Sequence, residues 1–291
     1  MTSQQSQKDQ TKLSSRHILF KRILRQKSGL IGLFIIVSFL VMAFVPGFFS
    51  PSDPLKMFKT YRLGPPTDQF LCGTDQLGRD ILSRIIYGCR SSLLISFLTV
   101  MITNFFGTLL GLVSGYFGGV RDNIIMRFVD ILLSFPFILL AILIIAITGP
   151  GLMPVVICLA IAYLPYSARV ARGAVMAVKE NQYVEAAIAA GAGHSRIILK
   201  YILPNIAPTI IVFVTINFSY VLLAESALQF LGFGMPPPTP SWGLMLREAR
   251  SFFELAPWTA IFPGIAIALA VVGFNLLGDG LRDFFDPKMQ E

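Results

Sequence analysis

The stretch Glu185–Pro204, EAAIAAGAGHSRIILKYILP, lies between two long apolar segments and decides how the rest of the chain is interpreted. Its alanines form helix readily but add almost no side-chain volume, so another surface can approach the backbone closely. Gly191 and Gly193 can adopt the positive φ that ends one helix and begins a turn. A second helical run follows, and Pro204 either ends that run or starts the next helix. The pattern predicts a helix-turn-helix hairpin at a membrane surface, built for docking.

The composition on both sides of this stretch is that of an integral membrane protein. Of the 291 residues, 54% are hydrophobic and only 14% are charged, and the mean hydropathy is +0.69. Because backbone polar groups must be satisfied inside lipid, long apolar runs indicate helices rather than barrel strands. Runs long enough to cross roughly 30 Å of hydrocarbon at about 1.5 Å per residue are Leu30–Phe49, Ser92–Tyr116, Ile131–Thr148, Leu152–Val170, Ile206–Phe230 and Trp258–Gly278. We therefore expect an all-α, polytopic protein with about six transmembrane helices.

The distribution of charge orients these helices. Basic residues crowd the segment before the first span, which places the N-terminus in the cytoplasm: Lys8, Lys12, Arg16, Lys21, Arg22, Arg25 and Lys27. Six crossings return the C-terminus to the same side and put the hairpin in the cytoplasm. The net charge of +8 is thus explained by membrane topology, and we expect contact with membrane lipid and no nucleic acid partner.

This topology divides the chain into five parts. We expect a basic cytoplasmic tail at 1–29, a first transmembrane helix at 30–50, an outer loop at 51–91, a core of five transmembrane helices at 92–280 with the hairpin at 180–204, and a cytoplasmic tail at 281–291. In the outer loop, apolar residues recur at helical spacing opposite Arg79, Asp80, Ser83, Arg84 and Arg90. That pattern predicts an amphipathic helix at the outer interface, and Trp242 and Trp258 suit the aromatic belt there.

Glycines and cysteines leave alternatives open. Gly107, Gly111 and Gly115 recur every four residues in the second span, and such a stripe serves either a subunit interface or packing within the chain. Cys72 and Cys89 fall in the outer loop and would pair in an oxidising compartment, although we expect unpaired thiols.

Several longer stretches carry a family resemblance. The hairpin residues Glu185, Ala186, Ala187, Gly191, Leu203 and Pro204 resemble those of the permease subunits of bacterial ABC importers, with Tyr201 where the family often has isoleucine. The stretches GTDQLGRDILSRIIYGCRSSL at 73–93, FLGFGMPPPTPSWGLML at 230–246 and FNLLGDGLRDFFDPK at 274–288 look like the second permease of the dipeptide, oligopeptide and nickel importer group. The resemblance covers nearly all of the chain after about residue 25.

This resemblance implies a fold and a set of partners. The fold would be that of a type I ABC-importer permease (MetI-like), in a bacterial inner membrane with both termini cytoplasmic. The partners would be a homologous second permease, two ATP-binding subunits and an extracytoplasmic solute-binding protein. The six hairpin residues would couple the chain to the ATP-binding subunits, with Glu185 either pairing with a basic group there or capping its own helix.

We expect ATP hydrolysis to take place on the partner subunits and not on this chain. It contains no Gly-Lys dipeptide and hence no phosphate-binding loop, so we expect ATP and magnesium on the partner subunits, no cofactor here and no enzymatic activity. The cargo would be a di- or oligopeptide, with nickel, glutathione or another small solute as alternatives. An autonomous secondary transporter and a membrane scaffold are the competing classes, but neither an internal repeat nor a charged relay within the spans is evident.

Polar residues within the spans suggest where cargo passes. Glu225 and Asn217 lie in the fifth span, where a charge is costly and usually functional, so we expect them to face the translocation path or the second permease. Asp130 is expected to pair with Arg127 at the membrane surface. His17 and His194 have no companion at ligand spacing, which predicts no metal site. The cluster at the C-terminus is interpreted as a cytoplasmic cap on the last helix: Asp279, Arg282, Asp283 and Asp286.

Overall fold

The computed structural model describes residues 27–285, which form helices joined by loops. The helices are α1 Lys27–Phe44, α2 Pro46–Phe49, α3 Ile81–Phe117, α4 Gly119–Ser134, α5 Phe137–Thr148, α6 Leu152–Lys179, α7 Gln182–Ala189, α8 His194–Ile197, α9 Leu203–Leu231, α10 Trp242–Ala249 and α11 Trp258–Phe285. The all-α prediction is confirmed for this part of the chain. The basic residues at 8–25 and Asp286 lie outside the described residues.

Five helical segments are long and apolar enough to cross a membrane, and a sixth crossing is broken. The five are α1, α3, α6, α11 and the continuous run His194–Leu231. The sixth combines α4 and α5, which meet at an angle of 86°. The break falls at Phe135 and Pro136, because proline has no amide hydrogen and disfavours helix at the residue before it. The expectation of about six spans is confirmed, but the third is not one straight helix.

The glycine stripe of α3 packs against α6 inside this chain. A Cβ added at Gly111 would lie 2.5 Å from the Cβ of Ala171 and 2.7 Å from the carbonyl oxygen of Ala168. One at Gly107 would lie 2.5 Å from Ser167, whose hydroxyl also donates to the side-chain carbonyl of Asn104 across the two helices. Side chains at these glycines would separate the helices, so the stripe is occupied by internal packing and is not a free subunit interface.

The first helix packs in the same manner on the last. A Cβ on Gly32 would lie 2.5 Å from the backbone nitrogen of Leu277, and one on Gly29 would lie 3.1 Å from the Cα of Gly280. The first span is therefore part of the helix bundle, held by backbone contact with α11.

The predicted amphipathic interface helix is wrong. Residues 81–93 form the first turns of α3. Of the polar side chains that were expected to face water, Arg90 is exposed, but Arg79, Asp80, Ser83 and Arg84 are buried within the protein. Arg79 Nε lies 2.6 Å from Asp75 Oδ2, and Arg84 Nη1 lies 2.7 Å from Glu248 Oε2 on α10. Asp80 caps α3 by accepting from the amide of Ser83 at 2.9 Å. Helical periodicity shows which residues share a face of the helix but not whether that face meets water. Here the arginines pair with carboxylates, and this pairing allows the polar face to be buried.

The expected aromatic belt is also wrong at Trp242. Its side chain is completely buried, its indole N–H donates to the carbonyl of Ile85 at 3.0 Å, and its ring meets Phe39 edge to face. Trp258 is half-buried and donates to the carbonyl of Thr74 at 3.4 Å. Both indoles therefore bind loop or helix backbone within the chain.

The cysteines are free thiols, as expected, and Cys89 and Cys158 are buried. Burial, with a further contribution from Asp80, raises the pKa of Cys72 in the outer loop.

The α3–α6 contact predicts the effect of one added methyl group. Gly111→Ala should lower the free energy of unfolding by about 1–3 kcal/mol, because the methyl overpacks a seam bounded by backbone. Gly173→Ala is the matched control, since a Cβ there meets nothing within 4 Å. Thermal unfolding of the purified protein measures both variants, and equal midpoints for the two would contradict this account of the seam.

Candidate coupling site and translocation path

The predicted hairpin is present and its turn is closed by backbone hydrogen bonds. At the end of α7, the amide of Ala192 donates to the carbonyl of Ala187 at 3.0 Å, and that of Gly191 donates to Ile188 at 2.9 Å. This is the Schellman arrangement, which requires a left-handed residue after the helix. Gly191 supplies it with φ of +78°. The requirement for glycine at 191 comes from backbone conformation and not from packing, since a Cβ there would meet nothing within 4 Å.

The inner face of the hairpin is seated on its own hydrophobic cluster, which we call the hairpin seat. It consists of the buried residues Leu112, Tyr116, Val175, Val184, Ile197, Ile202 and Ile206. These residues come from the ends of α3 and α6, from both arms of the hairpin and from the start of α9. Burial of branched side chains at about 1.5–3 kcal/mol each holds the hairpin against three transmembrane helices at once.

Polar contacts fasten the same seat. The Tyr116 hydroxyl and His194 Nδ1 are 2.7 Å apart, and Lys179 Nζ donates to the carbonyl of Tyr116 at 2.7 Å. Sequence reasoning did not find this role for His194, because Tyr116 is 78 residues away in the chain and no periodic pattern links the two.

The predicted coupling residues are divided between two faces of the hairpin. Glu185, Ala186 and Gly191 are exposed, whereas Ala187 is buried against the seat. Within residues 27–285 the Glu185 carboxylate accepts no hydrogen bond, so it does not cap α7 there. Apolar side chains extend the exposed face: Tyr183 is 42% exposed, Ile188 49% and Leu199 62%. The motif thus combines a fixed inner side with an outer side open to another protein.

Leu203 and Pro204 join the hairpin to the fifth span. Residues Ile198–Ile202 form a π-helical turn that runs directly into α9, with Pro204 in the first turn of that helix. Proline is favoured in a first helical turn because the amide it lacks would be unpaired there. Pro204 therefore starts a helix, and the second arm of the hairpin continues into the membrane without a loop.

Charged residues near the hairpin brace the ends of the helices. Arg172 on α6 makes two hydrogen bonds to the Asp122 carboxylate on α4, at 2.7 and 2.6 Å. The expected partner of Asp130 is wrong: Arg169 Nη2 lies 2.6 Å from Asp130 Oδ1. Arg127 stands one turn away on the same helix, but α6 brings Arg169 across to meet the carboxylate.

The two expected path residues lie in the interior of the subunit. Glu225 is completely buried and accepts hydrogen bonds from Gln229 Nε2 at 2.9 Å and Ser226 Oγ at 3.3 Å. Asn217 is 3% exposed, and its Nδ2 has no partner within the described residues. Neither side chain reaches the surface where the sequence expectation had put it, and a transport role for either stays a prediction.

Asp279, Arg282 and Asp283 are exposed on the last turns of α11, and their role as a cap on this helix stays a prediction. No group of three or more residues able to hold a metal ion occurs in the region from 27 to 285.

Known proteins are similar to this chain in sequence and in fold. Residues 107–291 match the family model described as the inner membrane component of binding-protein-dependent transport systems. Residues 15–66 match the N-terminal transmembrane domain of oligopeptide transport permease C. In the solved structure of the MetNI methionine ABC transporter in inward-facing conformations, one chain is 20% identical with a TM-score of 0.61, covering 71% of this chain and 98% of that one.

Curated relatives match over nearly the whole length. The dipeptide transport system permease protein DppC of Alkalihalophilus pseudofirmus is 44% identical, covering 93% of this chain and 89% of the relative. The glutathione transport system permease protein GsiD of Pectobacterium atrosepticum is 43% identical, with coverages of 93% and 90%. With these matches, the chain belongs to the family of inner membrane components of binding-protein-dependent transport systems.

Proposed function

We propose that this chain is one of the two transmembrane subunits of an ATP-driven importer for di- or oligopeptides, and that its hairpin couples it to the ATP-binding subunits. The observation that carries the coupling role is a hairpin fixed to three transmembrane helices on one face and open on the other. Peptide cargo is supported by relatives named for dipeptides, and for di- and tripeptides in Pseudomonas aeruginosa at 44% identity.

The mechanism follows from the continuity of the hairpin with the bundle. The exposed face around Glu185 and Ala186 would enter a groove of an ATP-binding subunit, which holds ATP and magnesium. When two such subunits close on nucleotide, the hairpin moves with them. Because α8 passes through the π turn into α9, and the hairpin seat includes the ends of α3 and α6, the movement rotates these helices about the path.

The remaining partners and the location belong to the same proposal. A homologous second permease would complete the path, and an extracytoplasmic solute-binding protein would deliver cargo. The membrane would be a bacterial inner membrane with both termini in the cytoplasm. Basic residues concentrated around the hairpin support that orientation: Arg169, Arg172, Lys179, Arg196 and Lys200.

Glutathione is the second candidate cargo, because a relative named for it is nearly as similar as the dipeptide permeases. Stimulation of ATP hydrolysis by the cognate binding protein distinguishes the two. The proposal predicts stimulation when the binding protein carries a dipeptide and little when it carries glutathione. The reverse order would replace the peptide proposal with glutathione.

Charge reversal on the open face of the hairpin tests coupling. Glu185→Lys should abolish peptide uptake by the reconstituted importer while ATP binding by the partner subunits persists, because the exposed carboxylate would face a basic group on the ATPase. Glu254→Lys, an equally drastic change at an exposed position far from the hairpin, is the control. Normal uptake by Glu185→Lys at normal membrane levels would exclude the coupling role.

Two neighbouring glycines test whether the shape of the turn matters. Gly191→Ala should cost about 1–2 kcal/mol, because alanine is strained at positive φ. Gly193→Ala should cost almost none of this strain, since Gly193 has φ of −67° and a Cβ there meets nothing within 4 Å.

Hydrogen exchange of the amides at 187–192 measures the difference. A penalty of about 1.4 kcal/mol raises exchange through local opening about tenfold, and peptide uptake should fall in parallel for Gly191→Ala alone. Equal exchange and equal uptake for the two variants would show that the turn does not depend on Gly191.

A further inference from the structure

The bend between α4 and α5 presents irregular backbone near the middle of the membrane. Residues 134–136 are exposed, and the Phe135 side chain is 57% exposed. The twelve residues of α5 rise about 18 Å from the short turn that joins α5 to α6. With that turn at one face of a hydrocarbon layer about 30 Å thick, and with α5 along the membrane normal, the bend lies near the midplane.

Two tyrosines on α6 stand at the same depth. Helix α6 begins at Leu152, and α5 ends at Thr148. Tyr163 follows the start of α6 by the same number of residues as Phe137 precedes the end of α5. Together with the bend, Tyr163 and Tyr166 line a cavity of about 280 Å³. We call this cavity the midplane notch.

Polar groups converge on the midplane notch. The Tyr163 hydroxyl donates to the carbonyl of Tyr220 at 3.2 Å and retains its acceptor capacity. Tyr166 is 52% exposed, and its hydroxyl makes no hydrogen bond to any residue from 27 to 285. Between the two tyrosines, Pro165 lies inside the continuous helix α6 and leaves the carbonyl of Ile161 without its helical donor.

Hydrocarbon cannot solvate such a surface. Non-helical backbone at membrane depth is tolerated only where protein buries it or where it lines a water-filled cavity. In this subunit the bend is exposed, so lipid is excluded as its neighbour.

An ion pair beside the notch gives an independent indication of water. Arg169 and Asp130 are joined at 2.6 Å, yet their side chains are 54% and 53% exposed. Asp130 precedes the bend by one turn on α4, and Arg169 follows Tyr166 by one turn on α6, so the ion pair lies at the end of the notch towards the hairpin. Charges exposed there are hydrated, which places water at that end of the notch.

We infer that the midplane notch is this chain's share of the translocation path, and that the hydroxyls of Tyr163 and Tyr166 hydrogen-bond the amide groups of the passing peptide. The cargo contact rests on the proposed peptide function, whereas the aqueous character of the notch does not. Broken helices near the midplane line substrate sites in other transporters for the same reason: they free backbone groups inside a cavity. Glu225 and Asn217 are buried elsewhere in the bundle and do not line this notch.

Thiol accessibility in the complete reconstituted importer tests the path. The three native cysteines are first replaced by serine in a variant that still transports. In this background, Tyr166→Cys is compared with Phe105→Cys, a substitution at an exposed position on α3. A charged, membrane-impermeant methanethiosulfonate should modify Cys at 166 and not at 105. Modification only by a lipid-soluble maleimide would mean that the notch faces lipid. No modification by either would mean that the second permease covers it, and both results overturn the inference.

The hydroxyl contact has its own test. Tyr166→Phe should lower the rate of dipeptide uptake several-fold at unchanged assembly, with Tyr61→Phe in the outer loop as the control. Turnover of dipeptide-loaded binding protein should slow the modification of Cys at 166 at least threefold. Aqueous modification without this protection, and with full uptake by Tyr166→Phe, would overturn the cargo contact. Absence of dipeptide uptake by the unsubstituted importer would instead contradict the proposed function.

Discussion

The close contact between α3 and α6 is the constraint on which both functional regions depend. Without side chains at Gly107, Gly111 and Gly115, the two helices approach to backbone distance. The ends of these helices that lie next to the hairpin then supply the hairpin seat, and the middle of α6 supplies the tyrosines of the midplane notch. Because both helices are long and continuous, a displacement at the seat is carried to the notch by a rigid body rather than through flexible loops.

The two faces of the hairpin have different physical demands. The inner face must resist being pulled from the bundle, and it is apolar, buried and fastened by Tyr116, His194 and Lys179. In the proposed coupling, the outer face would be recognised by a separate protein, and it combines small residues, exposed apolar side chains and the carboxylate of Glu185.

Much of the fold followed from the sequence, since apolar runs of sufficient length, the turn glycine at 191 and the proline at 204 each have a local physical meaning. What the sequence could not provide was the environment of the polar residues. Arg79 and Arg84 were expected in water and are buried by pairing with Asp75 and Glu248. Glu225 was expected at a surface and is satisfied internally. The bend at Pro136 had a local signal, but its proximity to Tyr163 and Tyr166 required tertiary structure.

The substitution Val184→Ala tests whether the hairpin seat transmits force. The measurement is the number of peptides that the importer transports per ATP hydrolysed. Val184 is completely buried in the seat and is not on the outer face of the hairpin. The substitution should therefore weaken the attachment of the hairpin to the bundle by roughly 1–3 kcal/mol without altering the outer face. ATP hydrolysis should continue while the transport ratio falls well below that of the unsubstituted importer. An unchanged ratio in a correctly assembled complex would show that the hairpin does not act through this seat.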